Sequence, residues 1–149
     1  METYKAMKER HQEEVNALPL AFAFSRDQYR RKLAAWNIAE EEAEAGAIIG
    51  LGNGGFIRSS DKDLVVSTFE RIHDEEQAAI AADLTGDGYI YEMFLYELSN
   101  HEFSYTGDVE ETLAALQLTA DDINSNEALQ HGLKRAVKEI AGAWDPFNE

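Results

Sequence analysis

Apolar residues return at three- and four-residue steps along most of this chain, and that rhythm restricts it to a mainly helical fold. Tyr4, Met7, His11, Val15 and Leu18 mark a first amphipathic helix, which Pro19 ends because it offers no backbone donor. Ser25 with Gln28 three residues on forms a capping box, and the helix it opens turns Tyr29, Leu33 and Trp36 inward. A third helix is expected over roughly 61–82, capped by Ser59 or Ser60, and a fourth over roughly 89–103. Asp108 opens a short fifth helix carrying Val109, Leu113 and Leu116, and Thr119 to Ile123 starts another helical turn. The last long helix, roughly 126–143, presents Leu129, Leu133, Val137 and Ile140, followed by Trp144.

The rhythm breaks in a few places. Leu20 to Phe24 reads as a short apolar connector or strand, and residues 39–45 as a solvated helix end or loop. In Ala47 to Arg58, two apolar runs flank a turn rich in Asn and Gly, residues that tolerate positive φ, so a β-hairpin is expected there. Gly50, Gly52 and Gly55 also satisfy the G-x-G-x-x-G spacing of dinucleotide sites. That pattern needs a helix directly after the glycines, and Phe56-Ile57-Arg58 reads as strand instead. The expected fold is mainly α (α+β at most), with about five to six amphipathic helices and one small hairpin near residues 47–58. With 149 residues, no repeat and two prolines, residues 1–149 are expected to form a single compact domain.

Charge is the second constraint. The formal net charge is −16, and residues 70–127 hold fifteen acids against one base, Arg71. Such a density repels phosphate backbones and anionic lipid, so neither direct nucleic-acid binding nor membrane binding is expected. It would attract a basic protein surface. The absence of cysteine excludes disulfides, thiolate metal sites and cysteine nucleophiles. No stretch has the apolar length of a bilayer span, and Met1 to Arg10 lacks the apolar centre of a secretion signal, so a cytoplasmic location is expected.

Four polar residues fall on or beside apolar stripes. Glu97 and His101 share the stripe of Ile90 and Phe94 on the fourth helix. Glu76 lies within the stripe of Val65, Phe69, Ile72 and Ile80 on the third, and His73 at its edge. Buried charge must be paired or bound to metal, so these residues are expected to form a hydrogen-bonded network. The alternative is a metal site between the third and fourth helices. Helix-bundle carboxylate sites usually need two Glu-x-x-His units, and only Glu70 to His73 supplies one. Asp83, Thr85 and Asp87, with Gly88 and Ile90, imitate the start of a calcium loop, but Phe94 stands where its bidentate Glu belongs. His11 is expected in or near the core and His131 in solvent. No nucleophile elbow and no cofactor motif is present.

Three segments carry a resemblance: Phe22-Ala23-Phe24-Ser25, Gly54-Gly55-Phe56-Ile57-Arg58, and Phe94 through Phe103 with its run Tyr96-Glu97-Leu98-Ser99-Asn100-His101-Glu102-Phe103. With Asp108 to Leu113 and the closing helix, the chain resembles an uncharacterised family of small acidic proteins found in phages, plasmids and integrative elements of gut bacteria. The similarity runs over about residues 8–140, and the acidic run Glu40 to Glu44 is longer than the family pattern. No activity transfers with it. What the resemblance implies is a mobile-element accessory role, inhibition of a host defence nuclease included.

The expected function is therefore a non-enzymatic acidic interaction protein docking a basic surface of a host or phage protein, in the manner of a nucleic-acid mimic. Its contacts would be Glu70, Asp74, Glu75, Asp108, Glu110, Glu111, Asp121 and Asp122. The alternatives are a metal-binding protein or metal-dependent enzyme using His73, Glu76, Glu97 and His101, and a structural or assembly protein.

Overall fold

The computed structural model describes residues 2–101 and 109–143. In chain order the elements are α1 (Tyr4–Asn16), β1 (Ala21–Phe22), α2 (Arg26–Ala35), a three-residue turn of helix α3 (Glu40–Glu42) that widens through Ala43–Ala47, β2 (Ile48–Gly52) and β3 (Gly55–Arg58). A 3-10 turn (Ser59–Asp61) leads into α4 (Lys62–Ala82), then come α5 (Tyr89–Asn100), α6 (Glu110–Ala115), α7 (Ala120–Asn124) and α8 (Glu127–Ala143). The fold is mainly α with a small antiparallel sheet, as the periodicity requires. Contacts divide the chain into two units, residues 11–73 and residues 1–10 with 74–149.

In the unit of residues 11–73, the hairpin forms where Asn and Gly were placed. Asn53 and Gly54 both take positive φ (51° and 81°), the requirement of a two-residue turn whose twist matches its strands. The apolar connector after Pro19 contributes a third strand. β1 pairs antiparallel with β3, Ala21 opposite Phe56 and Phe22 opposite Gly55, giving the order β1-β3-β2. Ser25 caps α2 by accepting from the Gln28 amide, while the Gln28 side chain accepts from Phe24 N rather than from the cap residue itself. Phe56 is buried, with the rings of Tyr29 and Trp36 edge-on at 5.1 and 5.7 Å. Leu33 of α2, Ile57 of β3 and Val65 of α4 are buried as well.

In the other unit, α5 turns Ile90, Met93, Phe94, Glu97 and Leu98 into the core. Leu129 and Ala136 of α8 and Tyr4 and Met7 of α1 belong to the same apolar cluster. Two glycines let α8 approach this closely. A Cβ on Gly132 would lie 2.4 Å from Ile90 Cγ2 and 2.8 Å from the Gly86 carbonyl, and one on Gly86 only 2.1 Å from the Ala128 carbonyl. Gly86 also sits at φ +85°.

Two helices close on a left-handed residue that is not glycine. Beyond α2, Asn37 takes φ 57°, its amide donates to Ala34 O, and Ile38 N donates to Leu33 O. Beyond α6, Gln117 at φ 58° does the same with Ala114 and Leu118 with Leu113. Both are Schellman closures that satisfy the last carbonyls, held by an apolar residue folding back.

α5 ends at Asn100, with His101 as its C-cap, and the last two residues of the expected helix, 102 and 103, lie outside the described residues. One expectation needs correction. On α4, Phe69 is 44 % exposed although periodicity places it in the buried stripe, and His73 is exposed too. A wheel reports angle about the axis, and burial also requires a neighbour at that height.

Gly132→Ala is expected to lower stability by about 1–3 kcal/mol, because its methyl meets Ile90 and a backbone carbonyl with no room to relax. Gly50→Ala, which opens onto free space, is expected to stay within about 0.5 kcal/mol. Urea unfolding midpoints at unchanged slope would measure both.

Candidate functional site

Glu97 is 3 % exposed, a carboxylate within an apolar face. Two of its partners come from α1. The Tyr4 hydroxyl donates to Oε1 at 2.6 Å, and the Lys8 ammonium pairs with the same oxygen. His101 Nε2 lies 3.4 Å from Oε2, one helical turn on. Tyr4 and Lys8 stand four residues apart on α1, which puts both on the face turned to α5. The ammonium also lies 5.7 Å from the Tyr4 ring centroid and 5.0 Å from that of Tyr96. The Tyr4 ring meets Tyr89 and Tyr96 edge-on.

These contacts set the ionisation states. Burial pushes the Glu97 carboxyl up, but hydrogen bonds from Lys8 and Tyr4 and the charges of Lys8 and His101 outweigh it, leaving it below its ordinary value. Burial and the Glu97 carboxylate push the Tyr4 hydroxyl well up, so it stays a neutral donor. The arrangement can hold a charge in a dry place, fix α1 on α5 and keep its proton positions constant.

The 83–88 loop is organised around Asp83. Its oxygens accept from the amides of Gly86 (3.0 Å), Gly88 (3.1 Å) and Ile90 (3.0 Å), so it caps the start of α5. Asp87 accepts from Arg135 at 3.0 Å and lies 2.7 Å from His131 Nε2. The bond to His131 leads the causes that hold the Asp87 carboxyl below its ordinary value. Arg135 also stacks on Tyr91 at 4.1 Å. The oxygens that imitate a calcium loop in sequence serve here as backbone and side-chain acceptors.

Of the four stripe residues, Glu97 and His101 are brought together, Glu76 is half-buried, and His73 stands exposed, contrary to its expected burial. Among the described residues no group of three or more His, Asp or Glu is placed to hold a metal ion. Of the proposed contact residues, Glu70, Asp74, Glu110, Glu111, Asp121 and Asp122 are exposed. Glu75 is half-buried and accepts from Arg10 at 3.1 Å, Asp122 also closes the capping box with Thr119, and Asp108 lies outside the described residues. His11 is buried and His131 exposed, as expected. Tyr4 and Lys8 are partners of Glu97 that sequence reasoning does not find, because 93 and 89 residues separate them from it.

Beside this cluster, the outer face of α5 (Glu92, Leu95, Tyr96, Ser99, Asn100) and the start of α1 (Thr3, Lys5) border an open groove of about 580 Å³. Glu92 accepts the Tyr4 amide at 3.1 Å and so helps to cap α1. Among the described residues no helix is long and apolar enough to cross a membrane.

A folded-state pKa below the unfolded one stabilises the protein above the unfolded carboxylate range and ceases to do so as pH falls through the folded value. The Glu97→Gln variant is therefore expected to lose about 1–3 kcal/mol near neutral pH and to converge on the parent in acid, read from urea midpoints across pH. Tyr4→Phe, which removes one donor and keeps the ring, is expected to cost about 0.5–1.5 kcal/mol.

No curated protein and no solved structure matches the chain. The family of unknown function DUF7659 matches residues 3–139, nearly the whole length. The segments that carry the resemblance, from Phe22 through the hairpin and α5 to all but the last turn of α8, lie inside that span, and the chain belongs to this uncharacterised family.

Proposed function

We propose that the protein is a non-enzymatic acidic interaction protein of mobile-element origin that acts in the cytoplasm by docking a basic protein surface, as an inhibitor or nucleic-acid mimic would. One observation supports this reading: several cations are engaged by acids of the chain itself, while further acids stay exposed with no such partner among the described residues. In the unit that holds α5, Lys8 pairs with Glu97, Arg10 with Glu2 and Glu75, and Arg135 with Asp87. Asp74, Glu111 and Asp121 remain exposed with no cation within pairing distance among the described residues. Each would meet a Lys or Arg of a partner at a rim, where charge steers association and sets salt dependence more than it adds affinity.

Part of the acidity has a local purpose. Glu110 and Glu111 lie in the first turn of α6, Asp121 and Asp122 in that of α7, and Glu127 in that of α8, where negative charge opposes the helix dipole. The docking reading rests on what such positions add together, a run of carboxylates at successive helix starts. A second reading, assembly, draws on the 62 and 78 % exposure of Phe22 and Phe24.

Affinity purification from the native host, followed by a salt series, tests the first reading. The partner is expected to be basic and to elute as the Debye length falls from about 10 Å toward 3 Å. The Asp74→Lys, Glu111→Lys and Asp121→Lys triple variant is expected to lose it while still melting cooperatively, at a temperature lowered only by the reversed first-turn charges of α6 and α7. Equal retention at low and high salt, and by the triple variant, would overturn the proposal. A stable homo-oligomer by light scattering with no bound partner would favour assembly.

A further inference from the structure

We propose that Asn53 is a site of spontaneous deamidation and that the hairpin tip is built in a way that makes the change matter to the sheet. Asn53 is exposed and is followed by Gly54, whose amide nitrogen has no β-carbon beside it to obstruct attack on a neighbouring group. Neither the Asn53 side chain nor the Gly54 amide makes a hydrogen bond among the described residues. Nucleophile and electrophile are thus neighbours in the chain, and neither is engaged in a hydrogen bond among the described residues.

The Gly54 amide nitrogen gives up its proton and attacks Asn53 Cγ. The new C–N bond closes a five-membered succinimide, and the side-chain nitrogen leaves as ammonia, carrying that proton. Water then opens the ring. Cleavage at one carbonyl restores the original backbone with aspartate, and cleavage at the other routes the backbone through the β-carbon as isoaspartate. The net change is amide plus water to carboxylic acid plus ammonia, and no further reactant is needed.

The surroundings give the isoaspartyl product a consequence. Gly54 O accepts from Ala23 N at 2.9 Å, which fastens β1 to the hairpin beyond the Ala21–Phe56 and Phe22–Gly55 pairs. A Cβ on Gly54 would lie 2.8 Å from the Ala23 carbonyl and 2.9 Å from the Phe24 ring, so the turn fits under β1 with no slack. Isoaspartate adds a methylene to the backbone of a turn with two residues between Gly52 and Gly55, a register that has no place for it. The Ala23 bond is the first to go, and β1 loses its outermost attachment.

The full chain is incubated at mildly alkaline pH and physiological temperature, folded and in denaturant. Samples are read by isoelectric focusing, peptide mapping and methyl transfer from an isoaspartyl methyltransferase. The expected result is an acidic species shifted by one charge that maps to Asn53 and accepts methyl groups. It forms in the folded protein at a rate within tenfold of the denatured one, and the Ala23 amide exchanges hydrogen faster in it. Asn53→Gly, which keeps the positive-φ turn, and Asn53→Asp, which has no ammonia to lose, are both expected to abolish the ammonia-releasing step at this site. Conversion in denaturant with Asn53 intact in the folded chain, or an acidic species that maps elsewhere, would overturn the proposal.

Discussion

A carboxylate held out of water must be answered from every side, and Glu97 imposes that condition on the unit built around α5. Its place in the stripe of Ile90, Phe94 and Leu98 is compatible with folding only because α1 brings a hydroxyl and an ammonium to the same oxygen. Tyr4 and Met7 then bury their own apolar surface against Tyr89 and Met93, so the polar contact and the packing select one placement of α1. Among the described residues no buried side-chain nitrogen or oxygen lacks a partner, which fits a network whose members are all accounted for.

What the sequence disclosed follows from the range of the interactions involved. Helices declared themselves through short-range periodicity, and the hairpin through Asn53 and Gly54, whose backbone demands are local. The Glu97–His101 pair was legible because it spans a single helical turn. Tyr4 and Lys8 join the same carboxylate across 93 and 89 residues, and no local rule connects them. β1 was ambiguous for the same reason, since two residues become a strand only once β3 lies beside them. Helix ends at Asn37 and Gln117 were hidden because the backbone there adopts a glycine-like φ without glycine.

The acidic stretch shows how composition blends several causes. Asp83 organises a loop through backbone amides, Asp87 binds His131 and Arg135, Glu92 caps α1, and Asp122 closes the box at α7. A segment with many helix starts needs many carboxylates, whatever else it does. Asp74, Glu111 and Asp121 make no side-chain hydrogen bond or ion pair among the described residues, although Glu111 and Asp121 still face the positive ends of α6 and α7.

The long separation between Glu97 and its α1 partners bears on how the chain is made. Tyr4 and Lys8 are made long before Glu97, so the first turns of α1 wait for α5, while that helix from His11 on belongs to the unit of residues 11–73. Closing so large a loop is an entropic toll collected late, and it favours a vectorial order in which the hairpin and its aromatic neighbours settle while the N-terminus waits. The residues from Tyr4 to Lys8 would then take their place against a carboxylate made 89 to 93 residues after them.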